Sequence, residues 1–309
     1  MENVPRETSQ ENPSKEGFSG IKKLDLKDYF LTGEKFEIYE DSETEVLYTL
    51  PQPIENLGKY YESKNYISHT DGKKSIFERF YQMAKSINLN NKLELINKVG
   101  TGKKILDYGC GVGDFLEHLQ KNGYDVLGME PNDSARRIAQ SKVGIEKVTS
   151  TELEQNTEKY DVITLWHVLE HIPNLKEIIT ELKKHLTKSG ILVIAVPNHQ
   201  SYDAKYYGEH WAAYDVPRHL WHFTETSMRK LFSNFGMKIE SIHPMKLDSF
   251  YVSLLSEKYK GNKLGFINAL RIGLKSNTQA KKTGQYSSLI YIITVSYTHL
   301  TLPTKRIAK

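Results

Sequence analysis

The sequence predicts an α/β fold in which a mostly parallel sheet is covered by helices on both faces. Short, wholly apolar segments alternate along the chain with segments whose apolar residues recur every three or four positions. The first pattern is typical of buried strands and the second of amphipathic helices. Their alternation indicates strand–helix–strand units, which place consecutive strands parallel and bury them on both sides.

The most informative segment is the first strand of this domain and the turn that follows it. Residues 104–108 form an apolar strand, and three glycines at alternate positions allow a tight turn into a helix that begins near Asp114. Such a turn lets a ligand approach main-chain N–H groups closely. The next strand ends in Glu130, whose carboxylate can accept hydrogen bonds from ribose hydroxyls. These features predict a cofactor that contains adenosine.

The charges around the glycines distinguish between cofactors. A dinucleotide-binding turn reads G-x-G-x-x-G, whereas this turn reads G-x-G-x-G between Asp107 and Asp114. Carboxylates at these positions would repel a pyrophosphate but would pair with a cationic α-amino group. The pattern therefore favours S-adenosylmethionine over a nicotinamide dinucleotide.

With these residues the chain resembles the class I S-adenosylmethionine-dependent methyltransferases, over roughly residues 75–245. The family motif is (D/E)-x-G-x-G-x-G with an acidic residue closing the second strand, matched here by Asp107 and Glu130. The resemblance is to bacterial type 11, 12 and 23 members and, distantly, to quinone-precursor O-methyltransferases. It implies a Rossmann-like sheet of seven strands with the last strand antiparallel. It also implies S-adenosylmethionine as cofactor, held by Asp107, Gly109, Cys110, Gly111, Gly113, Asp114, Phe115, Glu130, Pro131, Leu165 and Trp166.

The elements after the second strand continue the alternation. Strands are predicted at residues 160–166, 191–197, 238–243 and 288–294. Helices are predicted from 175 to the Ser189-Gly190 pair and at 224–235, 250–260 and 264–275. The last two helices belong to an insert at 246–285, between the last two strands.

Two histidines that follow the strand at 160–166 are the predicted catalytic residues. His167 comes directly after Trp166, and His171 lies four residues further along. Methyl transfer from a sulfonium is an in-line displacement that depends mostly on alignment, and a base contributes when the acceptor is a hydroxyl or a protonated amine. Either histidine could be that base, and His167 is the better placed because it directly follows Trp166. The alternative for His171 and Glu170 is local hydrogen bonding, their usual role in the family.

The spacing of the two histidines also raises the question of a metal. The sequence is not H-E-x-x-H, and Pro173 indicates an irregular turn rather than a helix. Quinone-precursor O-methyltransferases with a comparable Glu-His pair are thought to use a divalent ion, which keeps a metal as an alternative. The sequence itself predicts no metal site.

Two aromatic-rich tracts are the predicted walls of the acceptor site. One precedes the first helix of the catalytic domain, and the other, 211–223, is too polar for a core element and too aromatic for a solvated loop. The predicted acceptor-contacting residues are Tyr61, Tyr66, His69, Trp211, Tyr214, Arg218 and His219. The alternatives are that the first tract is a packing strip and that Asp215 and Arg218 pair to make the loop rigid.

Outside the catalytic domain at 71–294, three segments are predicted. Residues 1–20 are polar, lack periodicity and are expected to be disordered. Residues 21–70 form an accessory hairpin; similar bacterial methyltransferases often bind zinc there through two Cys pairs, but the absence of cysteine in this segment excludes that site. Residues 295–309 resemble a translated sequencing adaptor and are predicted to be an artefact.

Composition narrows the class of protein. The 309 residues can bury a full core, and the sequence shows neither a signal peptide nor an apolar run long enough to span a bilayer. The single cysteine, Cys110, excludes an intramolecular disulfide and suits a cytoplasmic location. No activating base adjoins Cys110, so we interpret it as a small residue among glycines rather than as a nucleophile.

Charge is uneven along the chain. Residues 246–294 carry eight lysines and arginines against two acidic residues. The helical insert could form a lid or a basic face for membrane or nucleic acid, but without a dense cluster a solvated face is the usual reading.

The predicted function is methyl transfer from S-adenosylmethionine to a small-molecule acceptor, with oxygen slightly favoured over nitrogen as the nucleophile. The alternatives are a nucleic-acid or protein methyltransferase, an NAD-binding oxidoreductase, and a binder without turnover. A nucleic-acid acceptor is disfavoured because the Asn/Asp-Pro-Pro-Tyr signature of base-modifying enzymes is replaced by Leu-Trp-His-Val at residues 165–168. The acceptor's identity and the oligomeric state are left open.

Overall fold

The computed structural model describes residues 17–61, 76–100, 102–150, 153–262 and 265–296. In chain order the strands are β1 (Gly20–Lys27), β2 (Lys35–Asp41), β3 (Leu47–Leu50), β4 (Lys104–Tyr108), β5 (Asp125–Met129), β6 (Val148–Thr149), β7 (Tyr160–Trp166), β8 (Leu186–Pro197), β9 (Trp221–His222), β10 (Met237–Pro244) and β11 (Ser288–Val295). The α-helices are α1 (Ile76–Val99), α2 (Asp114–Lys121), α3 (Asp133–Val143), α4 (Leu175–Lys184), α5 (Tyr202–Tyr207), α6 (Glu225–Ser233), α7 (Asp248–Tyr259) and α8 (Gly265–Thr283).

The larger sheet has seven strands in the order β10-β11-β8-β7-β4-β5-β6. From β6 to β8 neighbouring strands run parallel, and β11 is antiparallel to both β8 and β10. These findings confirm the predicted fold class. The chain builds outward from β4 to β6 and then returns to β7, so the strand order reverses between β4 and β7. In open α/β sheets, ligands bind at the carboxyl ends of the strands at such a reversal.

Apolar side chains pack on both faces of this sheet. Consecutive residues of β4 illustrate the arrangement, because side chains alternate across a strand. Ile105 packs in a core formed with α1, α2 and α3, whereas Leu106 packs in a second core formed with α4 and α6. Both side chains are fully buried. Packing in the two cores fixes the positions of the strand ends, where the candidate site lies.

Two helix ends differ clearly from their predictions, and the first is that of α8, which continues to Thr283 instead of ending at residue 275. Helix α4 ends at Lys184 rather than at the Ser189-Gly190 pair. The main-chain N–H of Tyr160 donates to the carbonyl of His185 at 2.8 Å, and Leu186 pairs with Tyr160 as the first residue of β8. Apolar residues continue at helical spacing through Leu186, but the side chain of Leu186 is buried in strand β8 rather than in a longer helix.

The smaller sheet is antiparallel, in the order β1-β2-β3-β9. The predicted hairpin corresponds to β2 and β3, but β1 is not predicted. Phe18 is also buried, with its ring centroid 4.8 Å from that of Trp221. The prediction of disorder for residues 1–20 is therefore wrong for residues 17–20, because burial of this ring fixes the chain there. Residues 1–16 lie outside the described residues.

Helices α7 and α8 form an antiparallel hairpin between β10 and β11, which agrees with the predicted position of two helices there. Glycines allow their close approach: a Cβ added to Gly273 would lie 2.6 Å from the ring of Phe250, and one added to Gly265 would lie 2.8 Å from Cβ of Glu257. Among the described residues, no helix has the length and apolar character needed to cross a bilayer. Residues 297–309, most of the predicted artefact segment, lie outside the described residues.

Candidate active site

The glycine turn after β4 depends on backbone conformations that only glycine adopts easily. Gly109, Gly111 and Gly113 have φ values of 74°, 55° and 75°, in the left-handed region. A Cβ on Gly109 would lie 2.5 Å from the side chain of Val168, and one on Gly113 would lie 2.7 Å from Cβ of Ala139. Strain and close packing together therefore require glycine at the first and third positions.

Glu130 follows the neighbouring strand β5, and its carboxylate hydrogen-bonds to the glycine turn. Its Oε2 accepts a hydrogen bond from the main-chain N–H of Gly111 at 2.9 Å, and its Oε1 accepts one from Asn132 at 2.8 Å. Arg136 donates to the carbonyls of Glu130 and Pro131 and so fixes the chain after β5. The carboxylate is thus held in place at the predicted ribose position.

Asp107 lies at the end of β4, next to β7. It is 2% exposed and accepts a hydrogen bond of 2.6 Å from the hydroxyl of Thr164. Burial raises the pKa of Asp107 to about 6, against the opposing effects of the Thr164 hydroxyl and the Lys92 ammonium. The charge on this carboxylate is therefore only partly compensated in the protein alone.

Lys92, on α1, is a site residue that the sequence analysis missed. Its Nζ lies 4.2 Å from the ring centroid of Trp166 and 5.4 Å from that of Phe115. Burial lowers the pKa of Lys92 to about 8, and the negative charges of Asp107, Asp248 and Asp114 oppose that shift. A single lysine on a helix normally faces solvent, so no sequence signal marked it.

Trp166 and Phe115 form one wall beside Lys92. Their rings meet edge to face with centroids 5.5 Å apart. The indole Nε1 of Trp166 is buried and has no hydrogen-bond partner among the described residues. A buried N–H without an acceptor is costly, so this group is suited to an acceptor supplied by a ligand.

Other predicted cofactor residues have structural partners. Asp114 pairs with Lys142 at 2.8 Å, which ties the start of α2 to α3. Burial, together with the charges of Asp107 and Glu130, raises the pKa of the Cys110 thiol, so it stays protonated at neutral pH and is a poor nucleophile. The side chain of Leu165 is fully buried in the core, so it can contribute to a ligand site only through its main chain.

The structure contradicts a general-base role for His167. Its Nε2 lies 3.0 Å from a carboxylate oxygen of Asp248, and its Nδ1 lies 3.3 Å from one of Glu170. Burial disfavours the charged ring, but the hydrogen bonds to Asp248 and Glu170 outweigh it and raise the pKa of His167 to about 10. At neutral pH the ring is protonated and cannot accept another proton. Asp248 lies 81 positions away in sequence, so this pairing was not visible there.

The hydrogen bonds of His171 differ from those of His167. Its Nδ1 lies 3.0 Å from the carbonyl oxygen of Arg218 and 3.1 Å from the hydroxyl of Tyr61. A carbonyl only accepts, so Nδ1 donates to it, and in the neutral ring the lone pair is then on Nε2. The ring of His219 packs edge to face against His171 with centroids 4.6 Å apart. His171 can therefore accept a proton at Nε2.

His219 and Glu170 complete a cluster with His171. Burial, with the charge of His171 adding to it, lowers the pKa of His219 to about 4, and its Nδ1 donates to the carbonyl of Ala213 at 2.9 Å. The Oε2 of Glu170 is buried without a hydrogen-bond partner among the described residues. One ligand atom from each of Glu170, His171 and His219 lies within 4.8 Å of the others, a donor set that could hold a divalent ion.

The guanidinium of Arg218 is held by other residues of the protein, and its contact with an acceptor stays a prediction. The guanidinium is 1% exposed and donates to both oxygens of Asp215, to Asp28 at 2.9 Å and to the carbonyl of Tyr60. It also stacks on Phe30, with Cζ 4.7 Å from the ring centroid. The alternative, that Asp215 and Arg218 make the loop rigid, agrees with this geometry.

Three of the other predicted acceptor residues, Trp211, Tyr214 and Tyr61, are among the described residues. Trp211 is buried, and its Nε1 donates to Asp203 at 2.8 Å, so its indole N–H already has a partner in the protein, and its role as an acceptor contact stays a prediction. Tyr214 packs edge to face against Trp211, and burial raises its pKa to about 12. Tyr61 contacts His171, as described above. Tyr66 and His69 lie outside the described residues.

A family profile described as a methyltransferase domain matches residues 78–242, more than half of the chain. A ubiquinone biosynthesis O-methyltransferase from Aliivibrio fischeri is 37% identical over 120 residues, covering 36% of this chain and 51% of that protein. A protein of the same name from Glaesserella parasuis is 32% identical over 148 residues, covering 39% of this chain and 63% of that protein. The chain thus spans about half the length of the first of these curated relatives.

Solved structures are similar at lower identity. Magnesium protoporphyrin IX methyltransferase from Synechocystis PCC 6803, solved with bound S-adenosylhomocysteine, is 16% identical, with a TM-score of 0.49 over 79% of this chain and 94% of that chain.

Proposed function

This chain belongs to the class I S-adenosylmethionine-dependent methyltransferase family, and from that premise we propose that it transfers a methyl group to an oxygen atom of a small-molecule acceptor. S-adenosylmethionine is the methyl donor of this family. The choice of oxygen is supported by the relatives named ubiquinone biosynthesis O-methyltransferases. We also propose a cytoplasmic location, supported by the free thiol of Cys110, which is typical of a reducing compartment.

The observation that carries this proposal is the pair of carboxylates at the glycine turn. Asp107 is buried with only partial compensation of its charge, which is costly unless a cation joins it. The α-ammonium of the donor is such a cation. Glu130 is held by two main-chain N–H groups and has remaining lone pairs for the two ribose hydroxyls.

Lys92 and Trp166 supply the complementary charge. The ammonium of Lys92 interacts with the charge of Asp107 and lies 4.2 Å from the ring centroid of Trp166, which carries the buried indole N–H. They are suited to the carboxylate of the donor, because one is cationic and the other is a buried donor without an acceptor among the described residues. With Asp107, they would bind both charges of the zwitterionic amino-acid end.

His171 is the proposed base. S-adenosylmethionine would supply the methyl group when bound, with its sulfur as the leaving group. His171 would take the proton of the acceptor hydroxyl at Nε2, the nitrogen that has the lone pair in the neutral ring when Nδ1–H donates to the carbonyl of Arg218. Neutral His219 packs against the ring and holds its orientation without adding charge.

Replacing His171 by glutamine is expected to lower kcat by about 10²–10³-fold while leaving donor affinity unchanged, because a positioned base acts in the chemical step. Steady-state kinetics with labelled donor, together with calorimetric donor binding, would separate the two effects. His210→Gln is the matched control, since His210 stacks on Tyr29 away from the cluster. Retention of kcat within twofold in His171→Gln would refute the base role.

Transfer of a radiolabelled methyl group to a panel of phenols, catechols, aliphatic amines and RNA tests the activity itself. The proposal expects label in an oxygen-methylated small molecule, identified by mass spectrometry. Label in an amine would contradict oxygen as the nucleophile. Label in RNA would contradict the small-molecule acceptor.

A further inference from the structure

The hairpin of α7 and α8 exposes an unusual amount of apolar surface. Six large apolar side chains on it are between 39% and 69% exposed: Leu247, Tyr251, Phe266, Ile267, Leu270 and Leu274. We call this set the outer face of the hairpin. Contiguous apolar patches on a monomeric protein mark interaction sites when they are large, whereas scattered single residues need no explanation. The arrangement on the helices therefore decides whether this set has a function.

The exposed residues lie on one side of each helix. On α8, Phe266, Leu270 and Leu274 repeat every four positions and form one stripe. On α7, Leu247 and Tyr251 have the same spacing. The opposite sides are buried, through Val252 and Ser256 on α7 and through Ile272, Ser276 and Ala280 on α8.

The two stripes are at the same level of the hairpin. Ser249 donates from its hydroxyl to the carbonyl of Gly273, and the ring of Phe250 lies against Gly273. The segment from Leu247 to Tyr251 is thus level with the segment from Leu270 to Leu274. Because both stripes are opposite the buried sides, they form one outward apolar surface.

The exposed charge of the hairpin is all positive. The sequence from 246 to 283 has two acidic residues, and neither faces solvent freely. Asp248 is paired with His167, and Glu257 is 1% exposed and bonded to Tyr207 and Asn268. The exposed basic residues are Lys246, Lys258, Lys260, Arg271, Lys275, Lys281 and Lys282.

We propose that the outer face of the hairpin docks on the surface of an anionic lipid bilayer. Helices with an apolar stripe beside lysines and arginines lie in the interface, with apolar side chains among the lipids and cations at the headgroup phosphates. Charge complementarity selects this occupant, because an acid-free surface attracts anionic headgroups. Nucleic acid is less suited, since it would leave the aliphatic stripe in water.

Docking would also bring the catalytic cleft to the lipid surface. Asp248 begins α7 and holds His167 at 3.0 Å, so the hairpin is joined directly to the site. An amphiphilic acceptor that partitions into the membrane could then reach the donor. This extension to the acceptor class rests on the proposed function, whereas docking itself does not.

Vesicle flotation with the full chain tests the docking, independently of methyl transfer. We expect at least tenfold more protein on phosphatidylcholine vesicles that contain 30 mol % phosphatidylglycerol than on phosphatidylcholine alone, with binding weakened by salt. Phe266→Ser/Leu270→Ser/Leu274→Ser should lower binding at least tenfold, and Arg271→Glu/Lys275→Glu should remove the anionic preference. The matched control is Ile138→Ser/Ile145→Ser, which alters exposed apolar residues elsewhere and should bind as wild type does.

Three results would overturn the proposal. The first is that monodisperse wild-type protein binds neither vesicle. The second is that the control variant loses binding as fully as the triple serine variant. The third is that light scattering finds a wild-type dimer which the triple serine variant converts to a monomer, because a second copy would then cover the outer face.

Discussion

Asp107→Asn is expected to stabilise the free protein and to weaken its binding of the donor. The carboxyl pKa rises from 3.8 to about 6 on folding. The folded state therefore holds the proton more tightly than the unfolded state, and stability falls as pH rises from about 4 to about 6. At pH 7 the full penalty is present, about 3 kcal/mol by the conversion of 1.36 kcal/mol per pKa unit. Asparagine avoids this penalty and can still accept the Thr164 hydrogen bond.

The same substitution removes the partner of the donor ammonium. Loss of a charge-assisted hydrogen bond of about 1.5–3 kcal/mol weakens donor affinity about 10–100-fold. The wild-type affinity should also fall below pH 6, as Asp107 takes up a proton, while the asparagine variant should show no such fall.

Urea unfolding of the two proteins, with and without S-adenosylhomocysteine, measures both effects. The expected result for the free variant is higher stability than wild type, and the ligand should add less stability to the variant than to wild type. Asp125→Asn is the control, because Asp125 is an exposed partner of Lys147 and should change neither quantity. Equal ligand stabilisation in Asp107→Asn and wild type would contradict the assigned role.

Arg218→Met is expected to destabilise the protein by about 3–5 kcal/mol, the usual cost of removing one partner from a buried ion pair. Arg218 is 1% exposed, and its loss leaves the buried carboxylate of Asp28 without its cation. Burial is the largest single influence on Asp28 and opposes its ionisation, but the hydrogen bond and charge of Arg218, together with the hydrogen bonds from Thr32, outweigh burial and lower the pKa. The stabilisation is therefore present above pH 4 and is lost as pH falls through the lowered pKa.

The measurement is urea unfolding of Arg218→Met beside Arg229→Met. Arg229 forms an exposed pair with Glu225, so its replacement should cost under about 1 kcal/mol. In the absence of urea, where the variant is folded, the KM of Arg218→Met for the acceptor should equal that of wild type. A raised KM without lost stability would instead restore Arg218 as an acceptor-binding residue.

The ion pair of Arg218 also explains how the accessory sheet is held without zinc. Asp28 follows β1, and Arg218 belongs to the loop before β9, so their pairing joins the two segments. The rings of Phe18, Tyr48 and Trp221 pack at the same junction. Buried charge and aromatic packing together occupy the role that metal ligands serve in similar proteins with Cys pairs.

The sheet and the glycine turn could be predicted because their determinants are local. The apolar runs at β4, β7 and β11 correspond to strands within one residue of their predicted bounds. The turn was recognisable because glycine is required at fixed spacing. β1 was missed because its residues are mostly exposed and its outward lysines conceal the alternation of a strand.

The catalytic roles could not be predicted because they depend on residues distant in sequence. Along the chain, His167 looks the better placed of the two histidines, because it directly follows Trp166. The carboxylates of Asp248 and Glu170 favour the protonated form of His167, whereas Nδ1 of His171 bonds to the carbonyl of Arg218. Lys92 carried no motif, since its position in the site depends on how α1 packs beside Trp166.

Titration calorimetry of the purified protein with S-adenosylmethionine and S-adenosylhomocysteine is the most direct test of the account. We expect saturable binding of one molecule per chain, with affinity that declines below pH 6 and is lost in a variant carrying both Asp107→Asn and Glu130→Gln. Folded protein that releases no heat with either compound, or a double variant that binds as wild type does, would contradict the assignment of the two carboxylates to the methyl donor.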